Sequence, residues 1–216
     1  MNTSTTYSQL VTEHIFEKRL IPVLTINDLS HVAPLAEALI ESGIKNVEVT
    51  LRTSVSLKAL AAFALYEGLI TGVGSVKSVE DLKSAIDVGA QFAVSPGFQE
   101  EIGEFAKEKE VLYLPGVATA TEIMVALSCG FNLLKFFPAE QLGGLKMLNA
   151  LSPVFPSVRF IPTGGINAAN AKDYLLHKSV AAVGGSWMFN SSLLENQNFK
   201  ELRESMADAL ALTRGI

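Results

Sequence analysis

The amino-acid sequence predicts an α/β protein, a (β/α)8 TIM barrel with an extra N-terminal helix. Three observations carry this expectation. Short β-branched runs alternate with longer stretches of helical periodicity, the connections between them are short, and eight such couplets follow one another without a linker or low-complexity segment. Strict alternation implies right-handed crossovers and a parallel sheet. Eight units without a second domain favour a closed barrel over an open doubly wound sheet. A single domain over residues 1–216 is therefore expected.

The elements follow in order. A helix over Thr5 to Lys18 precedes the first strand, Leu20 to Leu24. Asn27 and Asp28 then offer caps for a helix with Leu29, Val32, Ala33, Ala36 and Leu39 on one face, stopped by Gly43. The second strand, Asn46 to Leu51, leads into Leu57, Leu60, Ala61, Ala64 and Leu65 at helical spacing, ended by Gly68. After the third strand, Ile70 to Gly74, Ser78 with Asp81 three residues on marks a helix start, and Gly89 its end. The fourth strand is Gln91 to Ser95 and the fifth Val111 to Pro115, after which Thr119 with Glu122 signals another helix, ended by Gly130. The sixth strand is Phe131 to Phe137 and the seventh Val158 to Thr163, with Asn167 opening the helix that follows. The eighth is Val180 to Gly184, and Phe199 to Leu212 reads as a last helix.

Composition sets the chemistry that is possible. Of 216 residues, 49% are hydrophobic and 18% charged, enough to bury a core without disulfides or metals. A net charge of -5 leaves no basic footprint for nucleic acid or an anionic membrane, so an anionic ligand would have to be held by a local site. Cys129 is the only cysteine, which rules out an internal disulfide and suits a reducing compartment. Met1 to Gln9 lacks a signal-peptide pattern, and no apolar run reaches the roughly eighteen residues of a membrane span. A cytoplasmic protein is expected.

Strands buried on both faces should be continuously apolar, so a charge inside one is conspicuous. Lys135 lies in Leu133-Leu134-Lys135-Phe136-Phe137-Pro138, at the C-terminal end of the sixth strand, where barrel enzymes carry their sites. An ordinary lysine is protonated at pH 7, and an apolar setting favours the neutral, nucleophilic amine. Lys135 is thus either a nucleophile that forms a Schiff base with a ketone or a structural, ion-paired lysine. In Val47-Glu48-Val49-Thr50-Leu51-Arg52, alternation puts Glu48, Thr50 and Arg52 on one face, pointing into the same mouth. Alone they could be a satisfied structural set; beside Lys135 they suit a general acid/base and an anion clamp.

Two glycine turns follow the last strands, Pro162-Thr163-Gly164-Gly165-Ile166-Asn167 and Val183-Gly184-Gly185-Ser186-Trp187. Such turns bring backbone N–H groups close to a phosphate without side-chain charge, and barrels frequently bind phosphate after strands seven and eight. His14, His31 and His177 have no metal-ligand spacing and suit surface or capping roles. Cys129, Trp187 and Phe189 read as packing residues, and Ser186 as a phosphate contact, since no nucleophile elbow surrounds it.

Together these segments, with Ile21-Pro22-Val23-Leu24, Gly72-Val73-Gly74-Ser75-Val76, Ser95-Pro96-Gly97, Pro115-Gly116-Val117 and the run through Ala139-Glu140, resemble the 2-keto-3-deoxy-6-phosphogluconate (KDPG) and 4-hydroxy-2-oxoglutarate (KHG) aldolase family. The resemblance spans about Leu20 to Phe189. It implies that Lys135 is the Schiff-base lysine, Glu48 the general acid/base and Arg52 the pyruvyl-carboxylate arginine, with Pro96 and Phe137 shaping the pyruvyl pocket. Thr163, Gly164, Gly165, Gly184, Gly185 and Ser186 fall at the phosphate end. Ser75 stands where the family usually has threonine, which keeps the hydroxyl and drops a methyl. The resemblance further implies cleavage of KDPG to pyruvate and glyceraldehyde 3-phosphate, and of KHG to pyruvate and glyoxylate, with no cofactor or metal, and a homotrimer. An aldolase for the 6-phosphogalactonate epimer and a non-catalytic sugar-phosphate-binding barrel are the alternatives.

Overall fold

The computed structural model describes residues 7–189, 193, 196 and 198–214. Nine helices and nine strand segments alternate among them. They run α1 (Tyr7–Lys18), β1 (Leu20–Leu24), α2 (Val32–Glu41), β2 (Asn46–Thr50), α3 (Ser56–Phe63), β3 (Ile70–Gly74), α4 (Val79–Asp87), β4 (Phe92–Val94) and α5 (Glu100–Glu108). There follow β5 (Leu112–Leu114), β6 (Gly116–Val117), α6 (Ala120–Ser128), β7 (Leu133–Phe136), α7 (Gly144–Leu151), β8 (Arg159–Pro162), α8 (Ala171–Leu176), β9 (Val183–Gly185) and α9 (Phe199–Ala211). Thr5 and Thr6, where the first helix was expected to start, lie outside the described residues.

All strand pairs are parallel, in a six-stranded sheet ordered β5-β4-β3-β2-β1-β9 and a three-stranded sheet ordered β6-β7-β8. The ninth segment is Gly116–Val117, which lies beyond the expected end of the fifth strand and is separated from β5 by Pro115, which has no N–H to give to a ladder. β5 pairs back to β4, while β6 pairs forward to β7, so the chain passes there from one sheet to the other. On the far side the sheets meet through single bridges, Phe160 to Val180 and Thr163 to Gly184.

The last strand begins three residues later than expected, because its ladder starts at Val183 opposite Leu20, the first residue of β1 after α1 ends at Lys18. The Arg19 guanidinium donates to the carbonyls of Leu175 (2.7 Å), Val180 (3.0 Å) and Ala181 (3.1 Å) just before it. The Arg19 carbonyl also accepts from Val183 N at 3.0 Å, so one residue between α1 and β1 seals the join with β9.

The helix signals act locally. Ser78 Oγ accepts from Asp81 N, Thr119 and Glu122 form a reciprocal capping box, and Gly43, Gly68, Gly89 and Gly130 all take positive φ after helices. Two starts differ from expectation. Asp28 caps a short 3-10 turn, Leu29–His31, and α2 proper begins at Val32. Asn167 folds into a turn, accepting from Ala169 N and donating to Gly165 O, so α8 starts only after Asn170.

The main core lies between strands and helices. A second cluster joins Val11 and Ile15 of α1 to Ile21, Phe92, Val94, Leu114 and Ile161 on four strands. Ser8 shares a cavity with Leu112 and Leu133, at the starts of β5 and β7, which places α1 across the N-terminal strand ends. Burying Val11 and Ile15 there contributes about 1.5–3 kcal/mol each. The opposite strand ends are left for the site.

Candidate active site

Lys135 sits in β7 between Gly116 of β6 and Ile161 of β8, and its residue is 4% exposed. Glu48, on β2, is 2% exposed, and its Oε1 lies 3.5 Å from Lys135 Nζ. The contact is at the long limit of a hydrogen bond, so each group retains hydrogen-bonding capacity toward a third partner. The Phe137 ring centroid is 5.1 Å from Nζ, leaving one side of the amine against an aromatic face. A Cβ on Gly74 would lie 2.1 Å from Glu48 Oε1; the strand beside β2 is glycine at the level where the carboxylate needs room.

The polar series on β2 divides its roles. Thr50 is buried and donates to Leu24 O at 3.0 Å while sharing a 2.8 Å hydrogen bond with Thr25 Oγ1, so it ties β2 to β1. Arg52 lies past the strand end, exposed, and its Nε donates to Ser75 Oγ at 3.0 Å. Ser75 takes φ 61, a left-handed conformation that turns its hydroxyl onto Arg52 just after β3.

Arg52, Lys135, Phe137, Thr163, Gly164, Gly165, Gly185 and Ser186 line one cleft of about 140 Å³, joined by Val23 and Ile166. Glu48, Ser75, Pro96 and Gly184 do not line it. Glu48 stands behind Lys135, Ser75 acts on Arg52, and Gly184 lies beneath Thr163, whose Oγ1 a Cβ would meet at 2.4 Å. The Pro96 carbonyl packs where a Cβ on Gly116 would be, 2.2 Å away, so Gly116 lets the Ser95-Pro96-Gly97 turn reach the strand beside Lys135.

Several contributing residues were not singled out from sequence. Ser95 Oγ donates to Gly97 O at 2.5 Å and shares a 2.6 Å bond with Tyr113 Oη, fixing that turn from within; burial pushes the Tyr113 hydroxyl pKa up. Their signal was only a buried serine and tyrosine on neighbouring strands. His31, expected to be a surface or capping residue, lines an adjoining cavity of about 320 Å³ with Arg52, Ser186 and Phe189. Trp187 packs over Gly185, where a Cβ would lie 2.3 Å from its ring. Cys129 ends α6, and its carbonyl accepts from Lys107 Nζ. Among the described residues no group of three His, Cys, Asp or Glu side chains is placed to hold a metal ion.

Comparison with known proteins gives the family. The family model for KDPG and KHG aldolase matches residues 11–205. The KHG/KDPG aldolase of Escherichia coli K12 is 39% identical over 192 residues, 88% of this chain and 90% of that protein. The 2-keto-3-deoxy-6-phosphogluconate aldolase of Zymomonas mobilis ZM4, solved with 3-phosphoglycerate, superposes with TM-score 0.89 at 36% identity, covering 94% of this chain and 97% of that one. KDPG aldolase from Legionella pneumophila, solved with pyruvate captured as a covalent carbinolamine, gives 0.87 at 40% identity, covering 91% and 96%. A parallel α/β fold with a lysine and a carboxylate buried together at its strand ends, among these relatives, defines an aldolase, a carbon–carbon lyase. The chain belongs to the KDPG and KHG aldolase family.

Proposed function

We propose that the protein cleaves KDPG to pyruvate and glyceraldehyde 3-phosphate, and KHG to pyruvate and glyoxylate, through a Schiff base on Lys135. The observation that carries this reading is the buried pair, Lys135 Nζ 3.5 Å from Glu48 Oε1, beside a cleft lined by residues of both glycine turns. The names of the E. coli relative and the covalent pyruvate adduct in the Legionella structure support it.

In this mechanism the neutral Lys135 amine adds to the C2 ketone, while Arg52, oriented by Ser75, holds the neighbouring carboxylate. Glu48 protonates the carbinolamine oxygen, water leaves, and a protonated imine forms. Glu48, now a carboxylate, removes the C4 hydroxyl proton. The C4–O electrons become the aldehyde carbonyl, the C3–C4 pair flows into the iminium, and an enamine remains on Lys135. The enamine takes a proton at C3, and water hydrolyses the resulting imine to pyruvate and the free amine. The iminium is the electron sink, so the chemistry calls for no metal or organic cofactor. Phe137 shapes the pyruvyl end, with Pro96 supporting it from the turn against Gly116, and Thr163, Gly164, Gly165, Gly185 and Ser186 form the phosphate end, with Gly184 beneath Thr163.

In the same reading the two sheets are staves of one closed (β/α)8 barrel, with α1 as an extra N-terminal helix, in a single domain over residues 1–216. The bridges from Phe160 to Val180 and from Thr163 to Gly184, together with the chain crossing at Pro115, support closure. A cytoplasmic homotrimer completes the proposal; light scattering reads the assembly. No helix among the described residues is long and apolar enough to cross a membrane.

Borohydride added with pyruvate should attach one pyruvyl mass at Lys135 by peptide mass spectrometry; an unmodified Lys135 after efficient quenching removes the covalent mechanism. Glu48→Gln should keep the fold and slow turnover by about 10²–10⁴, the usual scale for losing a general acid/base.

A further inference from the structure

Behind the Gly164–Gly165 turn lies a polar contact that the mechanism above does not use. Tyr174, on α8, is 1% exposed, and its hydroxyl donates to Glu140 Oε1. Glu140 follows β7 and runs alongside the turn: Ala139 N donates to Thr163 O at 2.9 Å, and Glu140 N donates to Gly164 O at 3.1 Å. Gly165, at φ 79, rests directly on the Glu140 side chain, where a Cβ would come within 2.6 Å of Glu140 Cβ and Cγ. On the other side Gly144 takes φ 58, and a Cβ there would lie 2.8 Å from Tyr174 Oη and 3.0 Å from Glu140 Oε1. Glycines on both sides leave the space the contact occupies.

Helix α8 holds the same turn at a second point. Gly165 O accepts from Asn170 Nδ2 at 3.1 Å and from Asn167 Nδ2 at 3.2 Å, and Asn170 is the N-cap of α8. The helix that carries Tyr174 thus grips the Gly165 carbonyl at its start, while the tyrosine grips Glu140 beneath the turn. Two consequences follow for an anion. The backbone of a glycine pair has many accessible conformations, and anchoring it on both sides removes the entropy cost of ordering it when ligand binds. The carboxylate is also bound to a hydroxyl, which holds its charge away from an incoming phosphoryl group.

We infer that Tyr174 and Glu140 form a brace that sets the Gly164–Gly165 turn for a phosphoryl group, making them positioning residues that select phosphorylated over unphosphorylated substrate. This rests on the reading that the turn is the phosphate end. Burial first, and then Glu140, push the Tyr174 pKa up, so its hydroxyl remains a donor throughout the neutral range.

The test is steady-state cleavage of KDPG and of KHG by wild type, Tyr174→Phe, Glu140→Ala and Glu140→Gln, with inorganic phosphate as a competitor. Tyr174→Phe and Glu140→Ala should raise KM for KDPG about tenfold, the scale of one hydrogen-bonded contact, with kcat and the KM for KHG unchanged. Their inhibition by phosphate should weaken in parallel. Glu140→Gln keeps a carbonyl oxygen for Tyr174 and should retain the wild-type KM, which separates the hydrogen bond from the charge. Equal changes with both substrates, no change in either, or a Glu140→Gln as impaired as Glu140→Ala would overturn the inference alone, provided that phosphate competes in wild type. No phosphate competition in wild type would remove the phosphate reading and the brace with it.

Discussion

Glycine at position 74 fixes the position of a carboxylate it never bonds. A methyl there would stand 2.1 Å from Glu48 Oε1, so Gly74→Ala must push the carboxylate out of line with Lys135. Displacement of a catalytic group by about 1 Å costs on the order of 10² in rate. Stopped-flow or coupled assays should show kcat falling by about that factor, with the unfolding midpoint close to wild type. Ser75→Ala tests the neighbouring contact differently. It removes the acceptor for Arg52 Nε while leaving an exposed guanidinium free to hydrate, so KM for substrate should rise about two- to tenfold with little change in kcat. A KM equal to wild type would show that Arg52 orients itself without help. At this scale the sequence was most informative where a residue type broke its local pattern. Lys135 and Glu48 were conspicuous as charges within apolar runs, and the structure brings them together across a gap of 87 positions. Val23 and Ser95 stood only within segments that carry the resemblance, with no role of their own, and Tyr113 was not conspicuous, because its type fits a buried strand; the side toward which each one turns gives it a part in the site.

Among elements, α1 carries the clearest dependence on conditions. Burial lowers the His14 pKa below 6.5, reinforced by Lys18 and Lys45 and opposed by Glu17, and His14 Nε2 is buried without a partner. Burial lowers His177 as well. A histidine with a depressed folded pKa binds fewer protons folded than unfolded, so its contribution to stability is complete above pH 6.5 and is lost as pH falls through the folded value. Urea midpoints measured at pH 7.5 and 5 should therefore drop on acidification, and His14→Phe should drop less than wild type. An equal drop in both would mean that His14 binds protons alike in the folded and unfolded states. Element boundaries were legible where a side chain bonds the local backbone, as at Ser78 and Thr119. They were less legible where distant groups compete. Beyond Pro115, where the fifth strand was expected to end, Gly116–Val117 pairs as a further strand segment with β7, and β9 begins only where its distant partner β1 begins, at Leu20.

For the whole molecule, a net charge of -5 and an anionic substrate are reconciled by a local site, in which Arg52 lines the cleft and the glycine turns add backbone rather than side-chain groups. Activity should persist after dialysis against a strong chelator, because the protonated imine supplies the electrophile; full loss with recovery on adding one divalent metal would redirect the mechanism. The parallel α/β fold was legible from alternation alone. The way its two sheets meet was not, since the joining contacts depend on a proline break and on isolated bridges rather than on any run of residues.

The Arg19 contact also bears on the order in which the chain assembles. Its guanidinium spans sequence separations of 156 to 162 residues to reach Leu175, Val180 and Ala181. Neighbouring strands from β1 to β5 pair early, at small separations, but the β1–β9 seam waits until nearly the whole polypeptide has left the ribosome. Until then the β1 edge is unpaired, an open template for another chain. Arg19 is therefore both a lock on the finished molecule and a marker of its most vulnerable interval, the time between synthesis of the first strand and arrival of the last.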